Sequence, residues 1–190
     1  AKSVARCYDL FVAKEYTPNE PLPSLGFYTE FKKDVLFQAL GPVLSNWKLF
    51  NTLVWETMNT LRRSVNKELS WSFHYIVGIE SRGFYLAPVL ARELSCGFIP
   101  IRKSGKLPGQ ILRSKYATEY SIDAMEIQKD SFSDMRAAPE INIVIVDDLL
   151  ATGGSLEAAC KLVTQTLSEM QYTNRVTITC LCPLYVPELL

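Results

Sequence analysis

The stretch Ile141-Asn142-Ile143-Val144-Ile145-Val146 constrains the fold more than any other part of this chain. It is nearly all β-branched and almost entirely apolar. A strand with one wet face would alternate with polar residues, so this run predicts a strand covered on both sides, as in a parallel sheet. A polar turn follows it, then a helical pattern from about Leu156 to Met170, then a strand over Arg175–Leu181 built around Val176, Ile178 and Cys180. Upstream, Tyr75–Ile79 reads as a strand, Phe84–Leu94 as a helix with Pro88 tolerated near its start, and Phe98–Ile101 as another strand. Strands alternating with helices define an α/β class with a central, mainly parallel sheet flanked by helices.

The first third is less regular. Val4–Lys14 has spacing compatible with a short helix. Residues 14–30 hold Pro18, Pro21, Pro23 and Gly26 and read as an irregular segment. A mixed apolar stretch runs from Phe31 to Leu40, where Gly41-Pro42 breaks it. Leu49, Leu53, Val54, Met58, Leu61 and Val65 recur at helical spacing and predict a long amphipathic helix over 47–69. Residues 103–109 are rich in Gly, Pro and Lys and read as a mobile loop. Residues 110–130 suit a hairpin or extended arm, with Met125–Gln128 alternating like a half-exposed strand. The 190 residues contain no repeat, low-complexity segment or second domain boundary, so one domain is expected over 1–190.

Twenty Lys and Arg balance twenty Asp and Glu, giving zero formal charge. That argues against a surface that tracks a nucleic-acid backbone or an anionic membrane. A single histidine, His74, excludes a multi-histidine metal site, and its place just before a strand favours a structural role. The five cysteines (Cys7, Cys96, Cys160, Cys180, Cys182) form no C-x-x-C pair. A reduced, cytoplasmic setting is therefore expected, with the last three as core thiols. The start of the chain lacks the apolar core of a signal peptide, and no apolar run reaches the roughly 18 residues of a membrane helix. Trp47, Trp55 and Trp71 are expected to pack or to form subunit contacts rather than stack on a ligand.

Chemistry concentrates after the strongest strand, in Asp147-Asp148-Leu149-Leu150-Ala151-Thr152-Gly153-Gly154-Ser155. Ligands of open α/β sheets bind beyond the carboxyl ends of strands, and this segment leaves such an end. Ala-Thr-Gly-Gly-Ser can fold its amides around a phosphate, with Thr152 and Ser155 adding hydroxyls and the next helix its positive end. Asp147 and Asp148 are acceptors, which suits vicinal sugar hydroxyls. An Asx turn with Ser155 as a helix cap is the plainer alternative. The run is not a P-loop, since no Lys follows the glycines, and no G-x-G-x-x-G occurs.

An apolar strand, two acids, two apolar residues and A-T-G-G-S together resemble the phosphoribosyl-pyrophosphate signature of the type I phosphoribosyltransferases. The resemblance implies that fold, with a small N-terminal hood within about residues 1–45 and a core over 46–190 that includes a flexible lid at 102–120. It implies that Asp147 and Asp148 hold the ribose hydroxyls and that Ala151, Thr152, Gly153, Gly154 and Ser155 hold the 5′-phosphate. Three further stretches, Ser81-Arg82-Gly83-Phe84, Ile101-Arg102-Lys103-Ser104-Gly105-Lys106-Leu107-Pro108-Gly109 and Glu126-Ile127-Gln128-Lys129-Asp130, resemble the adenine-using branch of the family. By that likeness Glu80, Ser81, Arg82, Arg102, Lys103 and Lys106 serve the pyrophosphate. Five cations and no acid lie between Arg102 and Lys115, though a solvated face would look the same. Glu119 falls at the family's acid/base position beside adenine N7, with Tyr120 next to the reaction centre and Arg82 as a further catalytic group. The peptide beside Ser81 is expected to be cis.

The hood matches less closely. Val35–Leu44 aligns with the family's base-covering motif, placing Leu36, Phe37 and Gln38, with Leu149, around adenine. Gln38 and Ala39 stand where a basic residue and an Asp are usual. The implied reaction is ribosyl transfer from phosphoribosyl pyrophosphate to adenine, in purine salvage. Mg²⁺ is its cofactor, carried by the substrate near Asp147 and Asp148 with no certain protein ligand. The implied assembly is a homodimer with small-molecule substrates, and neither nucleic acid nor membrane is a partner. Two alternatives stay open: another purine such as hypoxanthine or guanine as acceptor, and a non-catalytic regulator on the same fold.

Overall fold

The computed structural model describes the backbone of residues 7–11, 26–32, 35–64, 73–117, 122–150 and 152–185, and side chains over 40–63, 73–116, 123–150 and 152–184. In chain order the elements are β1 (Cys7–Phe11), β2 (Gly26–Lys32), β3 (Val35–Ala39), α1 (Gly41–Leu44), α2 (Trp47–Ser64), β4 (Tyr75–Ile79), a 3₁₀ turn (Arg82–Tyr85), α3 (Ala87–Glu93), β5 (Gly97–Lys103), β6 (Ile111–Ala117), β7 (Ile122–Gln128), a 3₁₀ turn (Ser133–Met135), β8 (Glu140–Val146), β9 (Leu149–Leu150), α4 (Gly154–Glu169), β10 (Arg175–Cys182) and β11 (Leu184–Tyr185).

Seven strands form one sheet in the order β1-β10-β8-β4-β5-β7-β6. The first five run parallel; β7 and β6 continue the sheet antiparallel beyond β5. The β-branched run behaves as its composition requires. Ile141, Ile143 and Ile145 pack with Ala159, Leu162 and Val163 of α4 on one face. Val144 and Val146 pack with Val54, Met58 and Leu61 of α2 and Leu86, Leu90 and Ala91 around α3 on the other. Each isoleucine buried there contributes about 1.5–3 kcal/mol, so both layers of helix are held mainly by this sheet.

β4 and β8 are neighbours, yet the chain leaves them in opposite directions: β4 leads through α3 to β5, and β8 through α4 to β10. This is a topological switch point, and a crevice must open between the carboxyl ends of the two strands. The sheet thus brings the turns after Ile79 and after Val146 side by side.

Several expectations are corrected. The proposed helix over Val4–Lys14 is strand β1 where the backbone is described, paired in parallel with β10 from Cys7 beside Ile178 to Phe11 beside Cys182. Short apolar runs read equally as helix or strand, and here an open edge of the sheet decides. Gly41-Pro42 starts a short helix rather than merely breaking a segment, because proline fits the first helical turn. Phe84–Leu94 is a 3₁₀ turn followed by α3, which begins at Ala87. The helix expected from Leu156 begins at Gly154. Met125–Ile127 is buried throughout, not half-exposed, since β7 lies between β5 and β6. Trp47 and Trp55 are 73% and 61% exposed on α2, so core packing is not their role; Trp71 lies outside the described residues.

β2 and β3 form a separate antiparallel pair, from Gly26 beside Ala39 to Lys32 beside Val35. Nδ1 of His74 accepts a hydrogen bond from the Asn142 amide at 2.9 Å, the structural role expected of it. Cys180 and Cys182 are buried thiols and Cys160 a half-buried one. Among the described residues, no helix is long and apolar enough to cross a membrane.

Candidate active site

Two turns meet at the switch point. After β4 come Glu80, Ser81 and Arg82, with a cis Glu80–Ser81 peptide as expected. After β8 come Asp147 and Asp148. Gly83 lets the turns touch: a Cβ there would lie 2.5 Å from the Val146 carbonyl oxygen, too close for any larger residue. The contact brings Arg82 Nη1 to 3.2 Å from Asp148 Oδ2.

Asp148 is buried, and its Oδ2 lacks a hydrogen-bond partner among the described residues; the guanidinium is at ion-pair distance without being aligned as a donor. Asp147 keeps a partly open edge, and its Oδ1 accepts the Asp148 amide at 2.9 Å. Burial and the neighbouring Asp148 charge push Asp147 up to about 7. Burial also raises Asp148, with the Arg82 charge opposing it. Burial and mutual repulsion make it costly to ionise both carboxylates together. They are acceptors short of partners.

Leu149-Leu150 forms β9, paired in parallel with Leu184-Tyr185 of β11, which fixes where the chain turns into α4. Leu149 is half-buried and Leu150 buried. Gly153 adopts φ +79°, ψ −5°, a left-handed conformation that glycine takes without strain. The N-cap residue Gly153 supplies no side-chain cap, so the first-turn amides at Gly154 and Ser155 suit an anion beside Thr152 and the Ser155 hydroxyl. Ala151 lies outside the described residues.

The end of β5 lies beside the turn after β4. Glu80 Oε2 accepts from both Arg102 Nε and the Lys103 amide, each at 2.8 Å. These donors hold the Glu80 carboxyl below its ordinary range against its partial desolvation. Arg102 also lies with Cζ 5.9 Å from the centre of the Phe84 ring. Lys103 and Lys106 are exposed, and neither forms an ion pair with a described residue. Two charged groups thus flank the switch point: Arg82 with Asp148, and Glu80 with Arg102 and the Lys103 amide.

Two residues near this crevice were given no role by the sequence reading, although Glu126 stands in one of the stretches that carry the resemblance. Tyr116 on β6 donates to Asp123 Oδ2 at 3.4 Å, and its ring packs against the core beside α4. Its hydroxyl lies near Asp147 and Ser155, and its pKa is raised by burial first and then by Asp123. Glu126 on β7 has no accessible surface. Tyr116 gave a weak signal, as one aromatic in a stretch suited to a hairpin. Glu126 gave a misleading one, as a charged residue in an alternating strand. Glu119 and Tyr120 lie outside the described residues. Leu36, Phe37 and Gln38 have described backbone in β3 but not side chains.

Among the described residues, no three His, Cys, Asp or Glu side chains are grouped to hold a metal. The buried Asp148 oxygen, which has no hydrogen bond among the described residues, and the neighbouring Asp147 nonetheless fit the outer side of a cation carried mainly by substrate oxygens. Mg²⁺ commonly binds this way, through one or two carboxylates and phosphate groups.

A switch-point crevice with paired acceptors, a helix start without a side-chain cap and neighbouring cations suits an anionic sugar phosphate, and the comparisons identify the class. The sequence matches the phosphoribosyl transferase domain over residues 52–183, and the chain belongs to the phosphoribosyltransferase family. Within that family, the relatives are adenine phosphoribosyltransferases. The Helicobacter pylori adenine phosphoribosyltransferase is 41% identical over 132 residues, covering 70% of this chain and 68% of its own. The Bos taurus protein of the same name is 40% identical over 153 residues, covering 80% and 74%. The Saccharomyces cerevisiae adenine phosphoribosyltransferase, solved with adenine and an imino-altritol bisphosphate, superimposes with TM-score 0.69 at 36% identity, covering 87% and 86%. A Trypanosoma brucei enzyme solved with AMP, pyrophosphate and ribose-5-phosphate gives 0.62 at 26%, covering 90% and 82%.

Proposed function

We propose that this chain transfers the 5-phosphoribosyl group of phosphoribosyl pyrophosphate to N9 of adenine, giving AMP and pyrophosphate in purine salvage. The observation that carries this reading is the buried Asp148 oxygen without a hydrogen bond at the switch point, a few residues before the start of α4, whose Gly153 N-cap supplies no side chain. Vicinal ribose hydroxyls would supply the donors that Asp147 and Asp148 lack. The 5′-phosphate would occupy the α4 amides with Thr152 and Ser155.

The reaction breaks the C1–O bond of the ribose and leaves charge on pyrophosphate, while the sugar becomes oxocarbenium-like. Arg82, Lys103 and Lys106 are suited to neutralise that charge, and fixed charges do so with little reorganisation. Mg²⁺, when bound, would add electrostatic stabilisation to the same leaving group, beside Asp147 and Asp148. Adenine loses a proton as it gains the sugar, and Glu119 is assigned to receive it, with Tyr120 beside the reaction centre. Leu36, Phe37, Gln38 and Leu149 are assigned to the base. A homodimer in the cytoplasm completes the reading; sedimentation and cell fractionation test those two points.

The test is incubation with phosphoribosyl pyrophosphate, Mg²⁺ and adenine, hypoxanthine or guanine in turn. AMP formed from adenine alone is the expected result. A preference for hypoxanthine would make Gln38 and Ala39 the marks of a different base specificity. Nucleotide from no base would end the enzymatic reading. Glu119→Gln is expected to lower kcat by ~10²- to 10⁴-fold, the usual range for a lost proton-transfer group. Unchanged kcat with normal adenine binding would remove Glu119 from the proton role.

A further inference from the structure

β5 and β6 flank β7, so the connection between them must arch across it. Beneath this arch stands Glu126, cross-strand neighbour of Arg102 on one side and of Arg113 on the other. Its Oε1 accepts the amides of Lys106 and Leu107, each at 2.7 Å. Its Oε2 accepts the Gly105 amide and Arg113 Nε, each at 3.0 Å. Three consecutive loop amides therefore converge on one carboxylate with zero accessible surface. Burial alone would raise its pKa; the donors of Gly105, Leu107, Arg113 and Lys106 outweigh that and hold it at about 2. Gly105, at φ +83°, allows the chain to turn its amides inward.

Glu80 and Glu126 divide the positive charge of this stretch between two tasks. Each acid takes one guanidinium, Arg102 or Arg113, together with backbone amides of the arch. The ammonium groups of Lys103 and Lys106 remain exposed and form no ion pair with a described residue. An arch carrying this much like charge would otherwise spread apart. Its amides are also occupied by Glu126, so they do not form a phosphate cradle of their own.

We propose that Glu126 is a positioning residue that presets the 103–109 arch before substrate arrives, so that Lys103 and Lys106 meet the pyrophosphate already in place. This rests on the phosphoribosyl-transfer reading and sharpens it: Glu126 touches no substrate and acts through the loop. It also revises the expectation that residues 103–109 form a mobile loop.

The first test is amide hydrogen exchange on the ligand-free wild type. The peptide covering Gly105–Leu107 is expected to exchange at least ~10-fold more slowly than an open loop, because its donors meet a buried acceptor. Exchange at open-loop rates overturns the proposal, whatever any variant does. In Glu126→Gln, whose carboxamide has one acceptor oxygen and turns an N–H₂ group towards the arch, this protection is expected to vanish while the β6–β7 ladder keeps its own. Equal protection in the variant also overturns it.

The second test is kinetic. Glu126→Gln is expected to raise KM for phosphoribosyl pyrophosphate, and for inorganic pyrophosphate in the reverse direction, by ~10-fold or more, leaving KM for adenine within ~2-fold. Lys106→Ala is expected to cost much less in that background than in the wild type, because the two act as one unit. A loss of active fraction with unchanged KM values, or strictly additive effects, would make Glu126 merely structural and overturn the proposal. If the wild type makes no AMP, the reaction assignment fails, and the exchange experiment still decides whether Glu126 holds the arch.

Discussion

The turn from β8 into α4 and the arch from β5 to β6 each contain buried carboxylate, and the two treat it in opposite ways. Under the arch, Glu126 has four donors and a depressed pKa. At the β8 turn, Asp148 has an oxygen without a hydrogen bond, and both aspartates are pushed upward. A satisfied buried acid fixes structure; an unsatisfied one stores a demand for donors that a ligand can meet. Burial alone therefore does not distinguish the two regions; what separates them is how far each buried acid is supplied with donors.

The largest effect expected from this contrast is at Asp148. Asp148→Asn should lower kcat/KM for phosphoribosyl pyrophosphate by ~10²- to 10³-fold, as loss of a preorganised site group does. The melting temperature of the ligand-free protein should hold or rise, since half of a repelling pair is gone. A large loss of stability with unchanged activity would place Asp148 among the structural acids.

The two regions should also respond to pH with opposite slopes. The folded-state pKa of Glu126, about 2, lies below its unfolded value. Its contribution is full above the ordinary carboxylate range and is lost as pH falls towards 2. The stability gap between wild type and Glu126→Gln should be constant near neutrality and narrow in acid. Asp147, at about 7, is raised, so the ligand-free fold loses stability as pH rises through 7. Denaturant titrations across pH read both slopes. Parallel slopes would erase the distinction.

Gly83→Ala is expected to cost about 1–3 kcal/mol, because its Cβ meets the Val146 carbonyl and the two turns must part. The gap between Arg82 and Asp148 should widen, and KM for phosphoribosyl pyrophosphate should rise with the drop in stability. An alanine variant with normal stability and KM would show that the turns need not touch. The smallest effect belongs to Lys161→Ala, which breaks an exposed pair with Glu157 on α4. It should change stability by less than ~0.5 kcal/mol and leave both regions untouched, as melting and steady-state assays would show.

Most of the parallel sheet was legible because burial on both faces demands long β-branched runs, as in Ile141–Val146. The cradle was legible because Gly153 and the acids before it are local in sequence. β1 was misread because a strand of five residues carries too little pattern to separate two periods, and β10 supplied its partner from far along the chain. Glu126 was misread for a related reason: alternation says which side chains share a face but not whether a later loop will cover that face.

By itself, the sequence determined the class of fold, the strand that anchors it and the amides and acids that follow that strand, all features written in neighbouring residues. The tertiary structure decided which acids are satisfied. Donors to Glu126 come from residues 105–107 and 113, and Asp148 meets Arg82 only because β4 and β8 are adjacent. Hydrogen bonding and desolvation depend on what packs around a group, and that is set by chain topology rather than by its neighbours in sequence.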